Sequence, residues 1–181
     1  MRTGRPSEAG FNLIEVLIAM ALLSTVLLSI VTLFFMGRSN VYSGKQLTRA
    51  TSVAVHANED IAALGGADFL TAFNIVAATT TSASNSVGNV SYPNSIVRSV
   101  NADAGGANDP RGYLARWKGY LGSDRLQSAN LYLVIMPSDL ANTSDMTTAR
   151  LVQVRIVTEW KERNRYRNVF VDTTKFNRSL Q

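Results

Sequence analysis

Hydrophobic positions along the chain fall into three regimes. From Val16 to Met36 the sequence is apolar for 21 residues, interrupted only by Ser24, Thr25, Ser29 and Thr32. A helix over this run is apolar all round, and at roughly 1.5 Å per residue it reaches about 31 Å, close to the thickness of a bilayer's hydrocarbon core. After Gly37 the pattern becomes one-sided. Leu47, Ala50, Ala54, Ala57, Ile61 and Leu64 recur at alternating spacings of three and four, which predicts a narrow apolar stripe on an otherwise polar helix. Gly65-Gly66 predicts its stop. The two segments read as one helix from about Phe11 to Leu64, roughly 80 Å long.

The third regime lies beyond Arg111, where strands are predicted to dominate. Asn130 to Met136 is a short apolar run ended by Pro137, suited to a central strand. Val152, Val154, Ile156, Thr158 and Trp160 alternate with Gln153, Arg155, Val157 and Glu159, so one face of this strand is expected to be buried. Lys161 to Arg165 reads as a charged turn and Tyr166 to Thr174 as the returning strand. Between the helix and the strands, Asp68 to Ala78 places Phe69, Leu70, Phe73 and Val76 near helical spacing, and Thr79 to Asn89 is a Ser/Thr/Ala/Asn stretch that reads as a loop. The expected fold class is α+β, with an antiparallel sheet of three to five strands packed on the second half of the long helix. The chain divides into residues 1–10 as a leader, 11–36 as a membrane-spanning half-helix, 37–64 as an amphipathic half-helix and 65–181 as a small globular domain.

Composition removes several kinds of chemistry. The absence of cysteine excludes disulfides, thiolate metal sites and cysteine nucleophiles, and the single histidine, His56, cannot build a histidine metal site by itself. Glu59 and Asp60 read as charges on a solvated helix face. Asn101-Ala-Asp103-Ala-Gly-Gly106 imitates the start of a calcium loop, but Gly112 stands where a bidentate glutamate is needed. That leaves a Gly/Asn/Asp/Pro turn region, with Asp103 and Asp109 as ligands only in some other geometry. No nucleophile motif or phosphate loop occurs, so the sequence reads as that of a non-enzyme with no cofactor, no metal and no small-molecule substrate.

The formal charge is +5, and it is concentrated late: from Arg155 onward there are seven basic residues against three acidic ones. Arg163, Arg165 and Arg167 are spaced by two, so strand geometry through them would set all three on one face beside Trp160 or Tyr166. Such a cationic ridge reads either as a contact for an anionic ligand such as DNA, or as a solvated hairpin tip or a contact with an acidic neighbour.

The remaining anomaly is Glu15, a carboxylate one turn into the spanning segment, where a charge at mid-membrane costs on the order of 3 kcal/mol. A secretory signal peptide would place its cleavage site at Ala19-Met20-Ala21, but Glu15 would then interrupt the apolar region, which also runs 15 residues past Ala21. A plain single-pass anchor gives no reason for Glu15. The stretch Gly10-Phe11-Asn12-Leu13-Ile14-Glu15-Val16-Leu17-Ile18-Ala19, followed by the long apolar helix, resembles the processing site of type IV prepilins and of the pseudopilins of type II secretion. That resemblance covers residues 10 to about 40. It implies cleavage after Gly10 by a prepilin peptidase, methylation of the new amino terminus at Phe11, and pairing of Glu15 with the amino terminus of a neighbouring subunit.

A methylated amine stays protonated, and pairing lowers the cost of placing both charges in an apolar setting. Arg2 and Arg5 precede the span while Arg38, Lys45 and Arg49 follow it, so charge does not orient it. The resemblance implies a cytoplasmic leader and a C-terminal domain outside the inner membrane. Many major pilins carry a helix-kinking proline in the apolar half, and this run has none. The late strand pair with its tryptophan and charged turn is similar to the C-terminal end of PilV-type minor pilins and their small pseudopilin counterparts. The partners implied are the prepilin peptidase, other pilin or pseudopilin subunits and the inner membrane.

Overall fold

The computed structural model describes residues 12–76, 85–123, 126, 128–137, 149 and 151–176. The leader, Gly10 and Phe11 lie outside these residues, as do 77–84, which hold most of the low-complexity stretch. The chain forms two compact units, Met1–Ser43 and Gly44–Gln181, and helix α1 (Leu13–Ala63) contributes to both.

In the first unit α1 starts from Asn12, whose carbonyl accepts the N–H of Glu15 at 2.9 Å. The four hydroxyl residues of its apolar run, Val16 to Met36, are satisfied locally. Ser24, Thr25, Ser29 and Thr32 donate to the carbonyls of Met20, Leu22, Thr25 and Leu28 at 2.8 to 2.9 Å. Back-bonding of this kind consumes each hydroxyl's donor on its own helix, so these residues fit an apolar solvent at little cost. The large side chains from Leu13 to Met36 are exposed, and the helix is long and apolar enough to cross a membrane.

In the second unit the rest of α1 buries Gln46, Ala50, Val53, Ala54, Ala57 and Ile61. This differs from the predicted stripe at Gln46, Leu47 and Val53. Leu47 is 50% exposed, and Gln46 and Val53 take the inward places. The inward face follows the i, i+4, i+7, i+8 row from Gln46, and hydrophobicity alone had favoured the leucine next to it. α1 ends at Ala63, and Gly65 precedes a short helix, α2 (Gly66–Ala72).

Four strands form one antiparallel sheet, and two form a small hairpin. The hairpin is β1 (Ser86–Val87) and β2 (Val90–Ser91). The sheet is β3 (Ile96–Ser99), β4 (Asn130–Pro137), β5 (Leu151–Glu162) and β6 (Arg165–Phe176), in that spatial order. Between β3 and β4 lie α3 (Val100–Asp103) and α4 (Tyr113–Ser123). The α+β class, the long apolar helix and the small antiparallel sheet are those read from the sequence.

Alternation along the sheet separates two cores. Leu131, Leu133 and Ile135 of β4, with Val152, Val154, Ile156 and Trp160 of β5, join the main core that also holds the alanines of α1. Val134 and Val157 point the other way, into a smaller cluster with Val87 and Tyr92 of the β1–β2 region. That second cluster explains why Val157 is buried although its neighbours in the period-two pattern face outward.

α4 lies where strands were predicted. Leu114, Trp117 and Leu121 sit at i, i+3 and i+7 and are buried, so the helical period was present but was obscured by Gly119 and Gly122. The helix is anchored from outside its own sequence. Asp109, 4% exposed, accepts the N–H groups of Leu114 at 3.0 Å, Ala115 at 2.8 Å and Gly105 at 3.1 Å. A carboxylate on first-turn amides satisfies donors that the helix cannot and suits the positive end of its dipole. Asp103 is similarly engaged, accepting Ser99 N–H at 2.7 Å and Asn108 Nδ2 at 2.8 Å.

Asp60, read from sequence as solvated, instead accepts the Trp117 Nε1–H at 2.8 Å and pairs with Arg116 at 3.3 Å. Glu59 keeps the exposed role and sits 3.3 Å from His56. At the end of α1, Lys175 of β6 donates to the carbonyls of Ala62 at 3.0 Å and Leu64 at 2.9 Å, a cationic cap on a helix C-terminus.

On the second face of the sheet, Glu159 lies beneath the β1–β2 turn. A Cβ on Gly88, which holds a φ of +57°, would stand 3.1 Å from Glu159 Oε2. That oxygen is buried without a hydrogen-bond partner, and its cross-strand neighbours Asn130 and Asn168 supply no cation. Burial therefore pushes the Glu159 carboxyl above its ordinary value.

Two outcomes follow. Asp109→Ala should lower unfolding free energy by about 3 kcal/mol, because three amides lose a charged acceptor, with Asp109→Asn intermediate; denaturant titration followed by tryptophan fluorescence measures both. For Glu159 the folded state holds its proton more tightly than the unfolded chain does, so stability falls as pH rises from the ordinary carboxylate range through the raised value. Glu159→Gln should accordingly raise the thermal midpoint at neutral pH and converge on the parent in acid. An equal difference at all pH values would contradict the burial account.

Candidate assembly site and basic hairpin

Glu15 lies in the first turn of α1, where a carboxylate complements the exposed N–H groups and positive end of the helix. Its neighbours Leu13, Ile14, Val16 and Leu17 are all exposed and apolar. No ion pair engages Glu15 among the described residues. A lone carboxylate on an apolar helix surface can do one thing well, which is to receive a cation brought by another molecule as that surface is covered. Gly10 and Phe11, the expected cleavage position and methylated terminus, lie outside the described residues.

The second candidate is the β5–β6 hairpin. Its two-residue turn is Arg163-Asn164, and Arg163 adopts a φ of +55°. The three arginines expected on one face are therefore divided. Arg165 and Arg167 lie in β6 on the same face, opposite Glu162 and Trp160 respectively, while Arg163 belongs to the turn. Tyr166 pairs with Lys161 on the other face. The break comes from the turn itself: a left-handed residue interrupts the extended geometry that makes alternate side chains share a face. Glu162, Arg163, Asn164, Arg165 and Arg167 line an open cleft of about 290 Å³, in which Arg167 Nε lies 3.3 Å from Glu162 Oε2.

One polar feature of β5 escaped the sequence reading. Arg155 forms a two-pronged pair with Asp172 across to β6, at 2.6 and 2.7 Å, and its guanidinium lies 4.6 Å from the centre of the Phe170 ring. The carboxylate raises the Arg155 pKa above its ordinary value, against the effect of burial. The signal available was a lone arginine on the outward positions of a strongly alternating strand, but its partner is set by register. His56 lies beside Glu59 and 5.8 Å from the centre of the Tyr120 ring. Among the described residues no cluster of three or more His, Asp or Glu could hold a metal ion.

Comparison with known families bears on the first candidate alone. The prokaryotic N-terminal methylation motif matches residues 5–31, the segment holding Gly10, Phe11 and Glu15. The match supports the type IV prepilin and pseudopilin family, with the processing by prepilin peptidase and assembly with other subunits that the motif implies. No curated protein and no solved structure matches the chain.

Proposed function

We propose that this protein is a minor type IV pilin: a filament subunit, with no catalytic role, that is inserted through its N-terminal helix and assists pilus assembly or initiation. The observation that carries this reading is the coincidence of the methylation motif over residues 5–31 with an apolar helix surface that leaves Glu15 open. The prepilin peptidase cuts after Gly10 and methylates Phe11. Before assembly, α1 spans the inner membrane with the leader in the cytoplasm and the globular unit in the periplasm. During assembly Glu15 receives the methylated amine of Phe11 from a neighbouring subunit. A mispositioned neighbour would leave two charges unpaired in an apolar interior, so the pair selects register as well as adding attraction.

The tryptophan-bearing β5–β6 hairpin, with its charged turn, supports the PilV-type assignment. A pseudopilin of type II secretion shares the same N-terminal chemistry and is the alternative. A DNA-binding competence pilin would use the same helix and add the Arg163, Arg165 and Arg167 cleft as a phosphate contact.

Mass spectrometry of the mature chain tests the processing step: it should begin at methylated Phe11 when the peptidase is present and retain Met1 when it is absent. Glu15→Ala should be cut normally yet incorporated poorly into filaments, and normal incorporation would refute the charge-pair account. For the pilus reading in particular, a deletion strain should lose piliation and twitching while releasing exoproteins at the parental level; the reverse phenotype assigns the protein to secretion.

A further inference from the structure

The four-stranded sheet ends in two unlike edges. β3 is four residues long, whereas β6 is twelve and, among the described residues, pairs with β5 alone. A row of peptide groups from Arg165 to Phe176 therefore runs along one side of the sheet with no strand partner among the described residues. Exposed edges are ordinarily blunted by proline, bulges or charges placed along them. β6 contains no proline, and its middle, Asn168-Val169-Phe170-Val171, carries no charge. The next charge, Asp172, is drawn across to Arg155 on β5. Among the described residues, nothing therefore pairs or blunts the middle of this edge.

The side chains along β6 state what would pair with it. On one face stand Arg165 and Arg167, followed by the half-buried Val169 and Val171. On the other, Tyr166 and Phe170 are 65% and 56% exposed. From Lys161 to Arg167 the hairpin end carries four cations and one carboxylate, Glu162, already beside Arg167. A second copy of this chain is a poor occupant. The antiparallel register that keeps the faces and sets Phe170 against Phe170 also sets Arg165 against Lys175 at both ends, and like charges directly opposite each other are destabilising.

We infer that β6 is a docking edge for an extended segment of another protein chain, one that carries carboxylates at alternate positions on one face and apolar side chains on the other. Main-chain hydrogen bonds to the open edge supply the attachment, carboxylates opposite Arg165 and Arg167 set the register, and apolar side chains cover Tyr166 and Phe170. This inference does not rest on the filament reading, because the edge is present whether or not the N-terminus is processed.

The test uses the full chain in detergent micelles and two labelled decapeptides, one alternating glutamate with valine and one alternating lysine with valine. The glutamate peptide should bind about tenfold more tightly, with the difference shrinking as salt is added. It should slow amide exchange across residues 166–174 while leaving β3 unchanged. Arg165→Glu with Arg167→Glu should reverse the preference, a gain that an unfolded variant could not show. Should that variant fail to fold, the parent's exchange pattern decides. Equal binding of the two peptides, or binding without protection of β6, overturns the proposal. So does protection of the hairpin by a duplex DNA oligonucleotide when the glutamate peptide gives none, which would assign the arginines to nucleic acid.

Discussion

The structure depends on what α1 must satisfy along its length. Up to Met36 its surface is apolar on every side, and even its serines and threonines turn their hydroxyls back onto the helix. From Gly44 it belongs to the globular unit, and there the face placed in the core is built from Ala50, Ala54 and Ala57 with Val53 and Ile61. Small residues let other elements come close to a helix backbone, and large ones at the same positions would hold them off. One segment therefore carries two surface chemistries, and Glu15 stands at the head of the first.

Within the globular unit, polar side chains tie the elements together. Asp60 joins α1 to α4 through Trp117 and Arg116, Lys175 joins β6 to the end of α1, and Asp109 closes the preceding loop onto α4. Each tie places a charge where it has specific donors or acceptors, the condition under which a partly buried charge stabilises a fold. Asp103, which lies in the stretch that imitates the start of a calcium loop, and Asp109 are engaged by backbone and side-chain donors of their own segment.

The two candidate regions share a physical logic. Glu15 is a charge on an apolar surface, and the β5–β6 hairpin presents cations beside an open strand edge with exposed aromatic rings. In both places a charge adjoins apolar or backbone groups that have no partner among the described residues. Such an arrangement suits recognition, because apolar contact supplies attraction while the charge penalises wrong partners and wrong registers.

The sequence by itself determined the long helix, the α+β class, the β4–β6 meander and the methylation motif, because each is written in local periodicity or in adjacent residues. The inward set of β5, from Val152 to Trp160, was legible for that reason. Tertiary structure decided what depends on distant partners. α4 was missed because Gly119 and Gly122 obscure its period and its anchor, Asp109, lies outside the helix, and Leu47 yielded its place to Gln46 because the packed face selects a row of positions and not the most apolar residue. Asp60 became an internal acceptor only when Trp117, far along the chain, came beside it. The three arginines were separated because a left-handed Arg163 ends the alternation that spacing in sequence assumes. Local pattern shows which residues share a face only where regular geometry runs unbroken, and only the packed chain decides where it breaks and what that face meets.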